Sequence, residues 1–136
     1  MSIKSLAHVC IKTADLDATA AFYCGALGLE KLFDFTRKGQ RIGYYLKTGN
    51  LSFIEVFVAD AIDPVGPKQV LSHLCLESGD LKGLRERLLA AGHAPGPIHL
   101  AADNTWQFWM KDPNGMDVEF QEYTDRPRSS PAHRWK

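Results

Sequence analysis

"LAHVCIKTADL" (residues 6–16) and "LSHLCLESGDL" (residues 71–81) are one pattern written twice at a constant offset of 65 residues, and the fold follows from reading them together. Each opens on alternating residues rich in apolar side chains, which predicts a β-strand. Each closes on an aspartate, Asp15 or Asp80, placed to cap a helix. The spacing of Leu16, Ala20, Tyr23 and Leu27, and of Leu81, Leu84, Leu88 and Ala91, then gives each predicted helix one apolar face, with Gly28 and Gly92 at the stop positions.

Three more strand-like runs follow each helix: 30–37, 40–47 and 51–58 in the first half, 97–101, 105–111 and 116–122 in the second. "YYLKTGN" (44–50) matches "FWMKDPN" (108–114) at an offset of 64, and the turns "KTGN" and "DPNG" join the last two runs of each half. The expected architecture is therefore α+β, with paired βαβββ modules forming a curved mixed sheet. The first module is expected over residues 1–60, a Pro- and Gly-bearing linker over 61–69, the second module over 70–124, and a flexible tail over 125–136.

The repeat carries His8 onto His73 and Glu55 onto Glu119, so each half places a histidine near its start and a glutamate 47 or 46 residues later. Alternation along a strand puts His8 with Leu6 and Cys10, Glu55 with Phe53 and Phe57, His73 with Leu71 and Cys75, and Glu119 with Asp117 and Gln121. The complementary sets are apolar and suit a helix-covered core. The two histidines and two glutamates are thus expected on the opposite, concave face. An ionised glutamate such as Glu55, inside the apolar run "LSFIEVFVAD" (51–60), costs several kcal/mol to bury unless it is paired or binds a metal. Two facing half-sheets would bring His8, Glu55, His73 and Glu119 around one divalent ion, with two positions left for water or substrate. The ligand types suit nickel, cobalt, manganese, iron or zinc and do not choose among them. Glu55 paired with Lys12 or Arg41 is the bland alternative.

Composition limits the other possibilities. With 136 residues, 45% of them hydrophobic, the chain can bury a core. Sixteen basic and sixteen acidic residues cancel, which argues against a nucleic-acid partner. No apolar run reaches the roughly 20 residues of a membrane span, and the N-terminus lacks the apolar block of a secretory signal, so a cytoplasmic protein is expected. Cys10, Cys24 and Cys75 lack CxxC spacing and are read as small buried residues. His93, His99 and His133 have no repeat counterpart and are read as surface residues. Phe53, Phe57, Tyr45, Trp106 and Trp109 offer an apolar wall for a small molecule, and Arg37 and Arg41 offer cations for an anionic group.

Through "HVCIKTADLDATAAFYCGALGLE" (8–30), "FIEVF" (53–57), the 18-residue step from Glu55 to His73, and "FWMKDPNGMDVEF" (108–120), the chain resembles the vicinal oxygen chelate superfamily. That superfamily includes glyoxalase I, methylmalonyl-CoA epimerases, extradiol dioxygenases, and fosfomycin and bleomycin resistance proteins. The resemblance covers nearly all of residues 4–123 and implies the glyoxalase-like fold, a metal in the cleft and a homodimer. The His/Glu/His/Glu set is most similar to that of bacterial glyoxalase I, which implies metal-ligand roles for His8, Glu55, His73 and Glu119. It also implies a metal-dependent lyase or isomerase that takes a proton beside a chelated carbonyl, with Glu119 preferred over Glu55 as the shuttle. Where glutathione-dependent glyoxalases carry arginine, asparagine and a basic residue, this chain has Lys12, Ala59 and Gln69, so glutathione is not the expected substrate. Lys12, Arg41, Phe53, Phe57 and Trp109 are the expected substrate contacts. The competing readings are a drug-sequestering protein of the bleomycin-resistance type and an iron-dependent dioxygenase.

Overall fold

The structure is a computed structural model and describes residues 2–63 and 65–129; part of the expected tail, residues 130–136, and with it His133, lies outside the described residues. The chain divides into two compact units, residues 1–65 and 66–136.

In the first unit, β1 (His8–Thr13) leads into α1 (Leu16–Ala20), which continues as a π-helical turn over Ala21–Ala26, and then into β2 (Glu30–Arg37), β3 (Gln40–Lys47) and β4 (Phe53–Val58). The sheet order is β1-β4-β3-β2, with β1 parallel to β4 and the other pairs antiparallel. Asp15 caps α1, its carboxylate accepting from the backbone N–H groups of Asp17 and Ala18. In the widened turn, Leu27 N–H donates to Phe22 O at 3.0 Å, and the adjacent Phe22 and Tyr23 are both buried. Gly28, at φ 75°, ends the segment.

The core is the helix-facing side of the sheet: Ile11, Tyr44, Leu46, Ile54 and Val56 against Leu16, Phe22 and Tyr23. Burying each large apolar side chain there contributes about 1.5–3 kcal/mol. Its polar atoms are paired, with the Thr13 and Thr19 hydroxyls 2.9 Å apart and the Tyr44 hydroxyl donating to Leu16 O at 2.9 Å. Burial pushes the Tyr44 phenol well above its ordinary range.

The second unit repeats this plan with β5 (His73–Glu77), α2 (Leu81–Ala90), β6 (His99–Leu100), β7 (Thr105–Lys111) and β8 (Asp117–Tyr123), in the order β5-β8-β7-β6. Asp80 caps α2 through Gly83 N–H, and Gly92 turns the chain at φ 86°. Leu81, Leu84 and Leu88 face Phe108, Val118 and Phe120 of the buried layer. Two mixed four-stranded sheets with few helices make the chain α+β.

The opening strands begin later than expected, at His8 and His73, which leaves Leu6 and Leu71 outside them, and three of the later runs also depart in length. The run 97–101 shortens to His99–Leu100, because Pro97 has no N–H to donate; Gly96 N–H makes a single contact with Trp109 O at 2.8 Å. The run 51–58 starts at Phe53, since Ser52 O is occupied by the turn N–H groups of Thr48 and Gly49. The run 116–122 starts at Asp117, since Met116 N–H is held at 2.9 Å by the Asp112 carboxylate.

Candidate functional site

Strand parity is realised in the ladders. Cys10 lies opposite Glu55, and Glu55 opposite Tyr45; Cys75 lies opposite Glu119, and Glu119 opposite Trp109. All of these project from the face away from the helix, because their strand neighbours Ile54, Val56, Val118 and Phe120 fill the core.

On this face each unit brings its own histidine to its own glutamate. His8 Nε2 is 3.5 Å from Glu55 Oε2, and His73 Nε2 is 3.1 Å from Glu119 Oε2. The second pair is the drier: the Glu119 side chain is 10% exposed against 21% for Glu55. It is also the better braced. His73 Nδ1 lies 3.0 Å from the Ser72 hydroxyl, and its ring meets Trp109 edge-on at 4.6 Å. Trp109 Nε1–H in turn donates to the buried Gln107 at 3.0 Å. Among the described residues, His8, preceded by Ala7, has besides Glu55 an edge contact with Tyr45 at 6.1 Å. Among the described residues no group of three or more His, Cys, Asp or Glu side chains forms a metal-binding cluster.

The Cys75 thiol is pushed up to about 12, first by loss of water and then by the charge and hydrogen bonding of Glu119. Burial raises Cys10 as well, with Glu55 adding to the rise and Lys12 opposing it. All three cysteines are free, and Cys10 and Cys75 are exposed rather than buried, because they share the histidine face.

The expected substrate contacts are distributed unevenly. Phe53 stacks on Tyr45 at 5.0 Å, Phe57 lies 4.7 Å from Phe35, and Lys12 Nζ sits 5.3 Å from the centre of the Phe57 ring. Trp109 lies against His73, whereas Trp106 stands opposite Leu100 and Glu122, on the side where Glu122 accepts from Leu81 N–H at the start of α2. Arg41 is not with Glu55. It pairs with Asp17 of α1 and lies over the core-side ring of Tyr44 at 6.0 Å. The cause is a β-bulge: Phe35 lies opposite Gly43 but Thr36 lies opposite Arg41, so Ile42 is an extra residue and Arg41 is turned to the helix face.

Phe33 and Phe35 were not among the expected contacts, yet they join the same face. Phe33 stacks on Tyr45 at 5.2 Å and meets Phe35 at 5.0 Å. Their two-residue spacing in "EKLFDFTR" is the signal that identifies them. Ser72 and Gln107 carry no comparable signal, since their roles depend on a neighbour's rotamer.

Imidazole and carboxylate, the donor types each unit offers, suit a divalent first-row metal. A family model described as Glyoxalase/Bleomycin resistance protein/Dioxygenase superfamily matches residues 5–120. No curated protein matches the chain significantly. Among solved structures, a glyoxalase family protein from Enterococcus faecalis is 26% identical, with a TM-score of 0.76 over 90% of this chain and 100% of that one. A lactoylglutathione lyase from Agrobacterium tumefaciens is 22% identical, with a TM-score of 0.67 over 90% and 96%. An antibiotic binding protein from Streptomyces sp. CB03234 is 17% identical, with a TM-score of 0.71 over 91% and 99%, and like the lyase it shares the fold.

Proposed function

The chain belongs to the glyoxalase/bleomycin resistance protein/dioxygenase superfamily, and from that premise we propose that it is a metal-dependent lyase or isomerase acting on a small substrate with two vicinal oxygens. The observation that carries this reading is the duplicated imidazole–carboxylate pair, His8 with Glu55 and His73 with Glu119, at equivalent ladder positions. Either pair alone is an unremarkable surface contact. The same pair at the same ladder positions, on the face that each unit leaves outside its core, supports a common donor set.

His8, Glu55, His73 and Glu119 would hold the ion, one per set, drawn from nickel, cobalt, manganese, iron or zinc. A bound divalent ion polarises a coordinated carbonyl and makes the adjacent C–H more acidic. Glu119 takes that proton and returns it to the neighbouring carbon, with Glu55 as its near-equivalent in the other half. The drier setting of Glu119 supports this order, because excluding water keeps the abstracted proton from exchanging away. Ser72 and Trp109 hold the His73 ring in orientation, as outer partners of metal-ligating histidines do. Lys12, Ala59 and Gln69 provide no fork for a glutathione carboxylate, which favours a substrate without that carrier. The proposal includes a homodimer, to be read by sedimentation equilibrium.

Metal analysis of protein purified without a histidine tag tests the reading. The expected result is a stoichiometric divalent metal in the wild type, with Glu55→Gln and Glu119→Gln each lowering metal content or turnover at least about tenfold while the chelator-treated proteins keep the same Tm. A wild type that takes up no divalent metal, or two variants that keep full metal and activity, would overturn it. One observation favours a second reading, sequestration of a drug-like molecule: the first unit carries five partly exposed aromatic rings on the Glu55 face. Tight ligand binding without metal or turnover identifies that case.

A further inference from the structure

We propose that the first unit's Glu55 face is a binding site for an aromatic anion, with a planar ring held by Phe33, Phe35, Tyr45, Phe53 and Phe57 and an acidic group met by Lys12. The inference rests on the reading above only in taking His8 and Glu55 as the reactive end of the site.

The rings are continuous. Phe53 stacks on Tyr45 at 5.0 Å, Tyr45 on Phe33 at 5.2 Å, Phe33 meets Phe35 at 5.0 Å, and Phe35 meets Phe57 at 4.7 Å. None belongs to the unit's core, which lies on the other side of the sheet, and Phe33 remains 47% exposed. An apolar surface of this extent on a folded unit marks a place where something binds. Nor does the module require rings there. The same ladder positions in the second unit, opposite His73 and Glu77, hold Asp117 and Gln121 where the first unit has Phe53 and Phe57. The backbone itself accommodates the layer: Gly43 has no side chain, and a Cβ there would stand 2.8 Å from the Phe57 ring.

Lys12 supplies the charge. Its ammonium is 5.3 Å from the Phe57 ring centre, and among the described residues it has no acidic partner within ion-pair distance. Arg41 of β3, the other cation expected to contact substrate, is committed to Asp17 on the far side. The ladder sets the spacing. His8 is opposite Phe53, Cys10 opposite Glu55 and Lys12 opposite Phe57, so at about 3.3 Å per residue the backbone position of Lys12 lies some 13 Å along β1 from that of His8. A ligand that reaches both ends presents its oxygens at His8 and Glu55, its ring over Tyr45 and its acid at Lys12. A three-carbon aldehyde would leave most of this surface unfilled.

The test is calorimetric titration of 2-naphthoate, 2-naphthamide and cyclohexanecarboxylate into chelator-treated protein, wild type and the variants Lys12→Met and Phe33→Ala, each checked by circular dichroism. Because no metal is present, failure of the enzymatic reading leaves the result interpretable. Naphthoate is expected to bind about tenfold more tightly than cyclohexanecarboxylate. Lys12→Met should bring naphthoate to the level of naphthamide, and Phe33→Ala should weaken both aromatic probes severalfold. Equal binding of the aromatic and saturated acids, or naphthoate binding indifferent to Lys12→Met, would overturn the proposal. So would a wild-type dimer that Phe33→Asp converts to monomer, since the face would then belong to a second copy of the chain.

Discussion

Glu55 and Glu119 are carboxylates inserted into otherwise apolar strands, and each is answered by a histidine within its own unit. Their place on the face away from the core was legible in the sequence, because parity along a strand and a repeat of the pattern are both visible there; the pairing of each with the histidine of its own unit was not among the expectations. The position of Arg41 was not. Parity counting assumes an uninterrupted ladder, and the extra residue Ile42 reverses the count for everything before it. The exposure of Cys10 and Cys75 was likewise misjudged from their residue type, although their place two residues after a histidine gives them its face. A measurable consequence attaches to Cys75. Its thiol, raised by loss of water around the sulfur and by Glu119, carries little thiolate at pH 8, so in chelator-treated protein it should react with iodoacetamide more slowly than a free cysteine although the residue is exposed. Glu119→Gln removes the opposing charge and should speed that reaction severalfold, as followed by peptide mass spectrometry.

At the level of elements, the caps and stops were readable because each depends on one local residue. Asp15 and Asp80 both make the side-chain bonds that their positions suggest. Asp80→Ala should cost about 1 kcal/mol, lowering Tm by a few degrees. The near-disappearance of β6 was less readable, since an apolar run containing Pro97 looks like a strand until its hydrogen-bond partners are counted. Gly43 shows how a close approach escapes sequence reading altogether. A Cβ there would fall 2.3 Å from Val56 O, a backbone atom in the middle of a paired strand. Gly43→Ala should therefore destabilise the first unit by about 1–3 kcal/mol, read as a lower urea midpoint, with the loss centred on the β3–β4 pairing.

For the whole molecule, duplication is the fact that organises the rest: two units with the same strand order, the same cap, and the same imidazole–carboxylate pair. The sequence disclosed it through a nearly constant offset, 65 residues at the histidines and 64 at the later strands. If the two pairs serve one ion, saturation should occur at one metal per chain; two per chain would mean that each pair acts alone. Inductively coupled plasma spectrometry with a protein concentration from absorbance separates the two cases. Loss of that ion should also lower Tm, because a ligand bound only by the native state stabilises it.

The halves have nonetheless diverged in what they present. The first surrounds its glutamate with hydrocarbon rings, while the second surrounds its own with Gln107, Asp117, Gln121 and a braced indole. On the proposed function, the first copy sets what is accepted and the second holds the group that moves the proton. A mutant library selected for growth on unfamiliar compounds should accordingly gather its successful changes in β2, β3 and β4, and tolerate few around His73.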